Sequence, residues 1–334
     1  MIPTHTLSRF VHSQGRKYPN STGELSELLV SIALGVKIIG KLVSTAGFKG
    51  LHGYTGKTNV QGEEVHALDE EADEILVELL GSSGHFGMLV SEERDSVIAT
   101  EHGHLDAKYL VAFDPLDGST NLGSNIPVGT IFGIFRKRDE NRPAKSEDFL
   151  QNGRKLVGAG YSVYGAKTSF VYSCGDGVHG FTLDHDIGEF VLTEENMRVP
   201  DRGATYSVNE GYTSLWSNEV LEFISELKSD NKPQGTPYNA RYVGSLVADF
   251  DRTLRKGGIF MHPANSKRSR GKLRLLYECL PLAFIAEQAG GRASDGRQCV
   301  LDITPKNIHD RCPFIVGSRF EVEWFERMTK QHAK

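Results

Sequence analysis

The stretch Tyr109 to Asn121, YLVAFDPLDGSTN, constrains this chain more than any other. Tyr109 to Phe113 is apolar and about as long as a sheet-core strand, and Pro115, with its fixed φ and no N–H, is expected to stop it. Asp114 and Asp117 then stand at a strand's end, separated by Pro115 and Leu116 across a tight turn, so both carboxylates can point from one mouth of a sheet. Two like charges so close are costly unless something neutralises them. A hard divalent cation does so, and Mg²⁺ is typically held by one or two carboxylates plus phosphate oxygens. Gly118, Ser119 and Thr120 follow, small residues whose backbone N–H groups can form the anion-receiving start of a helix. The turn reads either as a mouth that sets metal beside phosphate or as one in which both acids merely cap backbone. The remainder of the chain decides between the two.

With 334 residues the chain can bury a full core, and about two domains are expected. Its net charge of −5 argues against a general nucleic-acid or membrane-surface binder. The one basic run, Lys267 to Arg274, is short and isolated. No apolar stretch is read as reaching transmembrane length, and MIPTHTLSRFVHSQGRK lacks the apolar segment of a signal peptide, so a cytoplasmic location is expected. Cys174, Cys279, Cys299 and Cys312 form no CxxC and no metal-ligand spacing, which suits reduced thiols.

Ser21 to Gly47 reads as an amphipathic helix opened by a capping box of Ser21 and Glu24, with Leu28, Leu29, Ile32, Val36 and Ile39 at helical spacing. Gly50 to Gly62 reads as a loop long enough to move, and Glu63 to Leu80 as a second helix whose many acids mostly form a solvated face. Glu92 and Glu93 follow the apolar MLVS run, at what looks like another strand end, where ligands for a second metal would be needed. Strands at Val128 to Phe135, Lys155 to Tyr161, Thr168 to Ser173 and Val178 to Leu183 suggest a largely antiparallel sheet, with 136–154 as an exposed loop. Beyond about Glu195 the pattern mixes helices at Ser217 to Leu227, Ala240 to Arg255, Tyr277 to Ala289 and Phe320 to Lys330 with strands at Gly258 to Met261 and Phe314 to Val316. The expected fold is α+β, or layered α/β, in two parts: 1–195 and 196–334.

Taken together, STGEL, TNVQGEEVHALD, LVSEE, KYLVAFDPLDGSTN, VGTIFGIFRK, SVNEGY, ARYVGS, GGIFMHPAN and GKLRLLYE resemble class I fructose-1,6-bisphosphatase over nearly the whole chain. DPLDG alone marks the wider lithium-sensitive, metal-dependent sugar phosphatase superfamily; GKLRLLYE, ARYVGS and VNEGY together are narrower. The resemblance implies a two-domain fold of alternating helix and sheet layers. It also implies hydrolysis of fructose 1,6-bisphosphate to fructose 6-phosphate and phosphate in gluconeogenesis, and a homotetramer. Two or three Mg²⁺ ions per site, with Mn²⁺ or Zn²⁺ able to substitute, would be held by Glu92, Glu93, Asp114, the carbonyl of Leu116, Asp117 and Glu278. Asp69 and Glu93 resemble the acids that orient and deprotonate the attacking water, and Glu63 stands where animal relatives carry aspartate. The phosphate to be cleaved would lie on the amides of Gly118 and Ser119 beside Lys272. The other phosphate and the sugar would be held by Asn209, Tyr212, Tyr242 and Lys272, with Arg241 reaching in from a neighbouring subunit.

His262 stands in FMHPAN where many relatives have tyrosine, and because histidine gains charge as pH falls, His262→Tyr is expected to change the pH dependence of substrate affinity. His52 likewise stands where animal relatives have a loop-anchoring tyrosine. The first long helix resembles the family's inhibitory AMP site, with Thr22, Gly23, Glu24, Leu25 and Ser26 at its start and Lys108, Tyr109 and Arg136 completing it. Among competing readings, a sedoheptulose 1,7-bisphosphatase shares the core motifs but is disfavoured by VNEGY and PYNARYVGS. An inositol monophosphatase lacks GKLRLLYE. A nucleotide-sensing scaffold that kept only the fold should have lost a metal acid, and none is lost. The expected partners are therefore a sugar bisphosphate, AMP and further copies of the chain, with neither nucleic acid nor membrane.

Overall fold

The structure, a computed structural model, describes residues 5–17, 22–49, 54–58, 64–100, 107–230 and 236–332. Tyr109–Asp117 lies well inside an eight-stranded sheet, paired parallel to Phe86–Ser91 on one side and antiparallel to Val128–Arg136 on the other. From there Leu156–Tyr164, Thr168–Ser173, Val178–Asp184 and Glu189–Met197 follow as antiparallel neighbours, and Ile98–Ala99 closes the other edge. Every residue from Tyr109 to Asp117 is buried, because both faces of this strand are covered. Val111 and Phe113 face one core, with Leu28, Leu29, Ile32 and Val36 from the Glu24–Lys49 helix and Leu68, Ala72 and Leu76 from Ala67–Ser82. Leu110 and Ala112 face the other, as the two-residue period of a strand requires.

That second core holds the middle helices Leu246–Lys256 and Leu280–Gln288, and on its far side a five-stranded sheet. In that sheet Asn239–Ala240, Thr205–Ser207 and Ile259–His262 run parallel, and Phe314–Gly317 and Arg292–Ser294 add antiparallel pairings. Asn218–Lys228 and Arg319–His332 cover its outer face through Phe223, Ile224, Val322 and Phe325. The order is helix, sheet, helix, sheet, helix, which is the expected layered α+β architecture.

Several elements depart from the sequence reading, each for a local reason. Pro115 does not end the strand. The pairing skips from Asp114 opposite Ile131 to Asp117 opposite Gly129, so the residue without an N–H falls in a bulge, and its carbonyl accepts from Thr130 Oγ1 at 2.8 Å. Within 50–62, Tyr54–Thr58 is a strand antiparallel to Glu64–His66, so the second helix begins only at Ala67. The supposed exposed loop 136–154 tucks Asp148 and Phe149 completely inside, where Arg142 pairs with Asp148 at 2.7 Å. The helix expected from Ala240 begins at Leu246, because Gly244 turns the chain with φ +85°. Tyr277 belongs to a π-helical turn, Leu275–Cys279, that feeds the Leu280–Gln288 helix. The Leu7–Gly15 helix and the Glu189–Met197 strand were not anticipated.

By length and composition Glu24–Phe48 could cross a bilayer, contrary to the expectation that no stretch could. Half of its most apolar window is buried inside the protein, where that apolar surface forms the core against the large sheet. Ser21 and with it the capping box, His52 and Glu63 lie outside the described residues.

Candidate active site

Three elements bring acids to one cavity of about 390 Å³: the end of Phe86–Ser91, the bulged end of Tyr109–Asp117, and the π turn Leu275–Cys279. Carboxylate oxygens of Glu92, Asp114 and Glu278 all lie within 4.8 Å of one another. Each acid is anchored. The Glu92 N–H extends the strand pairing to the Phe113 carbonyl at 3.1 Å, and Asp114 Oδ1 accepts from the Leu116 N–H at 3.0 Å. Asp117 Oδ2 accepts from Val247 N–H at 2.8 Å, at the start of the Leu246–Lys256 helix, and Glu278 accepts from the Arg274 N–H. Arg274 Nη2 lies 2.6 Å from Glu92 Oε1.

Burial, reinforced by the charge of Glu92, holds Asp114 well above the usual carboxylate range. Burial likewise lifts Asp117 to about 7 against the pull of the Val247 N–H, and Glu278 to about 8 against the pull of Arg274. The acids crowding this wall outnumber the cations Arg274 and Lys272 that face them. A buried set of hard oxygen donors with surplus negative charge fits a divalent cation of the Mg²⁺ type.

Beside the acids, Gly118 adopts φ +81° and opens the short 3₁₀ turn Ser119–Ser124. Only a glycine fits there, because a Cβ would come within 2.9 Å of Ser245 Oγ. Ser119 and Thr120 therefore face the cavity with Lys272, His262 and Tyr242 across from them. His262 Nδ1 is buried without a hydrogen-bond partner. Burial first, and Lys272 second, push this imidazole down to about 4. The gain of charge expected of this histidine on mild acidification is thus displaced to lower pH.

The cavity gathers Asp69, Glu92, Glu93, Asp114, Leu116, Asp117, Gly118, Ser119, Tyr242, His262, Lys272 and Glu278. Asp69 and Asp73 are the buried exceptions on their acidic helix, and Arg94 Nε holds Asp73 at 2.6 Å. Asn209, Tyr212 and Arg241 stand outside the wall. Asn209 accepts from the Gly211 N–H at 3.0 Å, Tyr212 is exposed, and Arg241 is an exposed side chain donating to the Ala240 carbonyl at 2.8 Å. Two charged wall residues had been given no role in the site from sequence. Arg274 was visible only as the end of the basic run and as a letter of GKLRLLYE, one turn before Glu278, and Asp249 carried no motif signal.

A second cavity, of about 440 Å³, lies on the other side of the large sheet and is lined by Thr22, Gly23, Leu25, Ser26, Lys108, Tyr109 and Arg136. Glu24 is turned to Lys108, 3.2 Å from its Nζ, and does not line the cavity. The Arg136 guanidinium lies 5.8 Å from the centroid of the Tyr109 ring. Tyr172, Cys174 and His179 also line the cavity and had no place in the site read from sequence.

A buried carboxylate cluster set against a glycine-hydroxyl turn and a lysine fits a metal ion held beside a phosphate ester. The chain belongs to the fructose-1,6-bisphosphatase family: "Fructose-1-6-bisphosphatase, N-terminal domain" matches residues 5–195 and "Fructose-1-6-bisphosphatase, C-terminal domain" matches 199–330. It is 47% identical over 331 residues to a fructose-1,6-bisphosphatase class 1 of Maridesulfovibrio salexigens, covering 98% of each chain. It is 48% identical over 328 residues to one of Sorangium cellulosum, covering 97% of this chain and 93% of that one. The crystal structure of Leishmania major fructose-1,6-bisphosphatase in holo form superposes with a TM-score of 0.92 at 39% identity, covering 99% of this chain and all of that one.

Proposed function

We propose that this chain hydrolyses fructose 1,6-bisphosphate to fructose 6-phosphate and inorganic phosphate. The observation that carries the reading is the single cavity in which Glu92, Asp114 and Glu278 converge beside the Gly118–Ser119 turn. Glu92, Glu93, Asp114, the Leu116 carbonyl, Asp117 and Glu278 are the ligands for Mg²⁺, two or three ions per site, with Mn²⁺ or Zn²⁺ as substitutes. Bound there, the metal supplies Lewis acidity, activating water and neutralising phosphoryl charge.

The protein's own groups do the rest. Asp69 and Glu93, both on the cavity wall, orient the attacking water and accept its proton, with Glu63 as a further acid. The Gly118 and Ser119 amides and Lys272 hold the phosphate to be cleaved. Asn209, Tyr212, Tyr242, His262 and Lys272 hold the far phosphate and the sugar. The exposed Arg241 completes that end from a neighbouring copy, in keeping with a homotetramer.

The second cavity is the site of AMP inhibition, with Thr22 to Ser26 at the helix start and Lys108, Tyr109 and Arg136 around the nucleotide. Residues 1–195 carry this regulatory site and most metal ligands, and residues 196–334 the sugar-phosphate end. The protein works in the cytoplasm, in gluconeogenesis. Phosphate release from fructose 1,6-bisphosphate beside sedoheptulose 1,7-bisphosphate, with Mg²⁺, with chelator and with AMP, tests the whole reading. Metal-dependent release that favours the fructose ester and falls with AMP is expected; no release with Mg²⁺ present overturns it.

A further inference from the structure

Asp249 is fully buried on the Leu246–Lys256 helix, and both of its oxygens are surrounded by donors. Oδ1 accepts from Ser207 Oγ at 2.8 Å, from Val243 N–H at 3.2 Å and from Arg252 Nη1 at 3.1 Å. Oδ2 accepts from the N–H groups of Val243 at 3.1 Å and Gly244 at 3.0 Å. One carboxylate therefore ties together two chain segments that are remote in sequence: the end of the Thr205–Ser207 strand, which leads into Asn209, and the turn that carries Tyr242. The same turn reaches the other end of the cavity, because the Gly244 carbonyl accepts from Asn121 Nδ2 at 3.0 Å, within the turn that opens at Gly118. The helix beneath it also donates the Val247 N–H to Asp117.

We infer that Asp249 is a positioning residue that sets the distance between the two phosphate-holding ends of the site by locking the Ser207–Asn209 and Tyr242–Gly244 segments to one helix. This rests on the proposed sugar-bisphosphate reading and extends it to a residue that touches neither phosphate in that scheme. An acceptor at both oxygens is required, because all five bonds are donated to this carboxylate. Asparagine, of equal size, would turn an N–H₂ donor against the donors it should satisfy.

The test uses the full-length chain with saturating Mg²⁺, comparing wild type, Asp249→Asn and the milder Ser207→Ala. Steady-state kinetics on fructose 1,6-bisphosphate, the inhibition constant of fructose 6-phosphate, the Mg²⁺ half-saturation point and a thermal melt are measured for each. In Asp249→Asn, KM and the product inhibition constant are expected to rise about tenfold or more, the scale of losing hydrogen bonds to a charged group. kcat should stay within about threefold and Mg²⁺ half-saturation should move less than KM, because Glu92, Asp114 and Glu278 are anchored by segments that Asp249 does not hold. Ser207→Ala should raise KM about two- to fivefold, and it decides the matter if Asp249→Asn does not fold. An unchanged KM in both folded variants, or activity lost only in proportion to folded protein, overturns the assignment. Wild-type protein that releases no phosphate overturns the underlying reading instead, so the two failures are distinct.

Discussion

Arg274 Nη2 lies 2.6 Å from Glu92 Oε1, and both side chains are buried in the wall that also carries Asp114 and Glu278. The guanidinium sets a positive charge against Glu92 in a wall of acids, and its backbone N–H simultaneously holds Glu278. A residue outside the proposed ligand set thus preserves the ligand geometry.

Removing that charge should be costly. Arg274→Met is expected to lower unfolding free energy in chelator by about 3–5 kcal/mol, the scale for stripping one partner from a buried ion pair. Urea unfolding of both proteins in EDTA measures it, and equal midpoints with equal slopes would show that Glu92 does not depend on Arg274.

Metal and protons compete for the same carboxylates. Burial raises Glu278 to about 8 and Asp117 to about 7, so without metal the folded protein keeps protons that the unfolded chain releases near the ordinary 4.5 and 3.8. A raised pKa stabilises the fold at low pH, and that stability is lost as pH rises through the folded value. The gain in melting temperature from Mg²⁺ over EDTA should therefore widen between about pH 6 and pH 8.5. A gain that is constant across that range counts against the proton competition.

His262 works with the opposite sign. Its folded value, about 4, lies below its ordinary 6.5, so between those limits the unfolded chain takes up a proton that the folded protein refuses. Stability present above pH 6.5 is lost as pH falls, at about 1.4 kcal/mol per pH unit. His262→Tyr removes this slope, so between about pH 7 and pH 5 wild type should lose about 2 kcal/mol more than the variant by urea unfolding. Parallel losses in the two proteins would show that His262 protonates freely.

The Gly118 turn has no room for a side chain. In Gly118→Ala a Cβ at φ +81° meets Ser245 Oγ at 2.9 Å, so the turn must shift away from the helix behind it. The strain itself is only about 1 kcal/mol, so the melt should move little. A displaced phosphate-holding turn should lower kcat/KM by about a hundredfold. Near-wild-type kcat/KM would show that these amides do not hold the reacting phosphate.

Where the chain's instructions are local, the reading from sequence survives. Tyr109 to Phe113 is a buried strand because five apolar residues in a row suit a sheet covered on both faces, and the Thr168–Ser173 strand falls where its flanking turns put it. Local rules fail where a neighbour overrides them. Pro115 stays within its strand because Val128–Arg136 accommodates a bulge, and Glu64 to His66 pair as a strand although the acidic pattern around them is helical. Asp69 and Asp73 carry the same local signal as the exposed Glu74 and Glu78, and only the cavity beside Asp69 and the Arg94 pair at Asp73 separate them.

Sequence by itself determined the identity of the acids, the glycine-hydroxyl turn next to them and the layered family of folds, since strand period, turn chemistry and motif order are all written over short spans. Tertiary structure alone decided that Glu92, Asp114 and Glu278 share one wall, that Arg274 pairs with Glu92 there, and that Asp249 ties the Thr205–Ser207 strand to the Tyr242–Gly244 turn. The physical reason is that charge, desolvation and hydrogen bonding act through space. Whether a carboxylate is ionised, anchored or solvated depends on which distant segments the fold brings within a few ångströms of it.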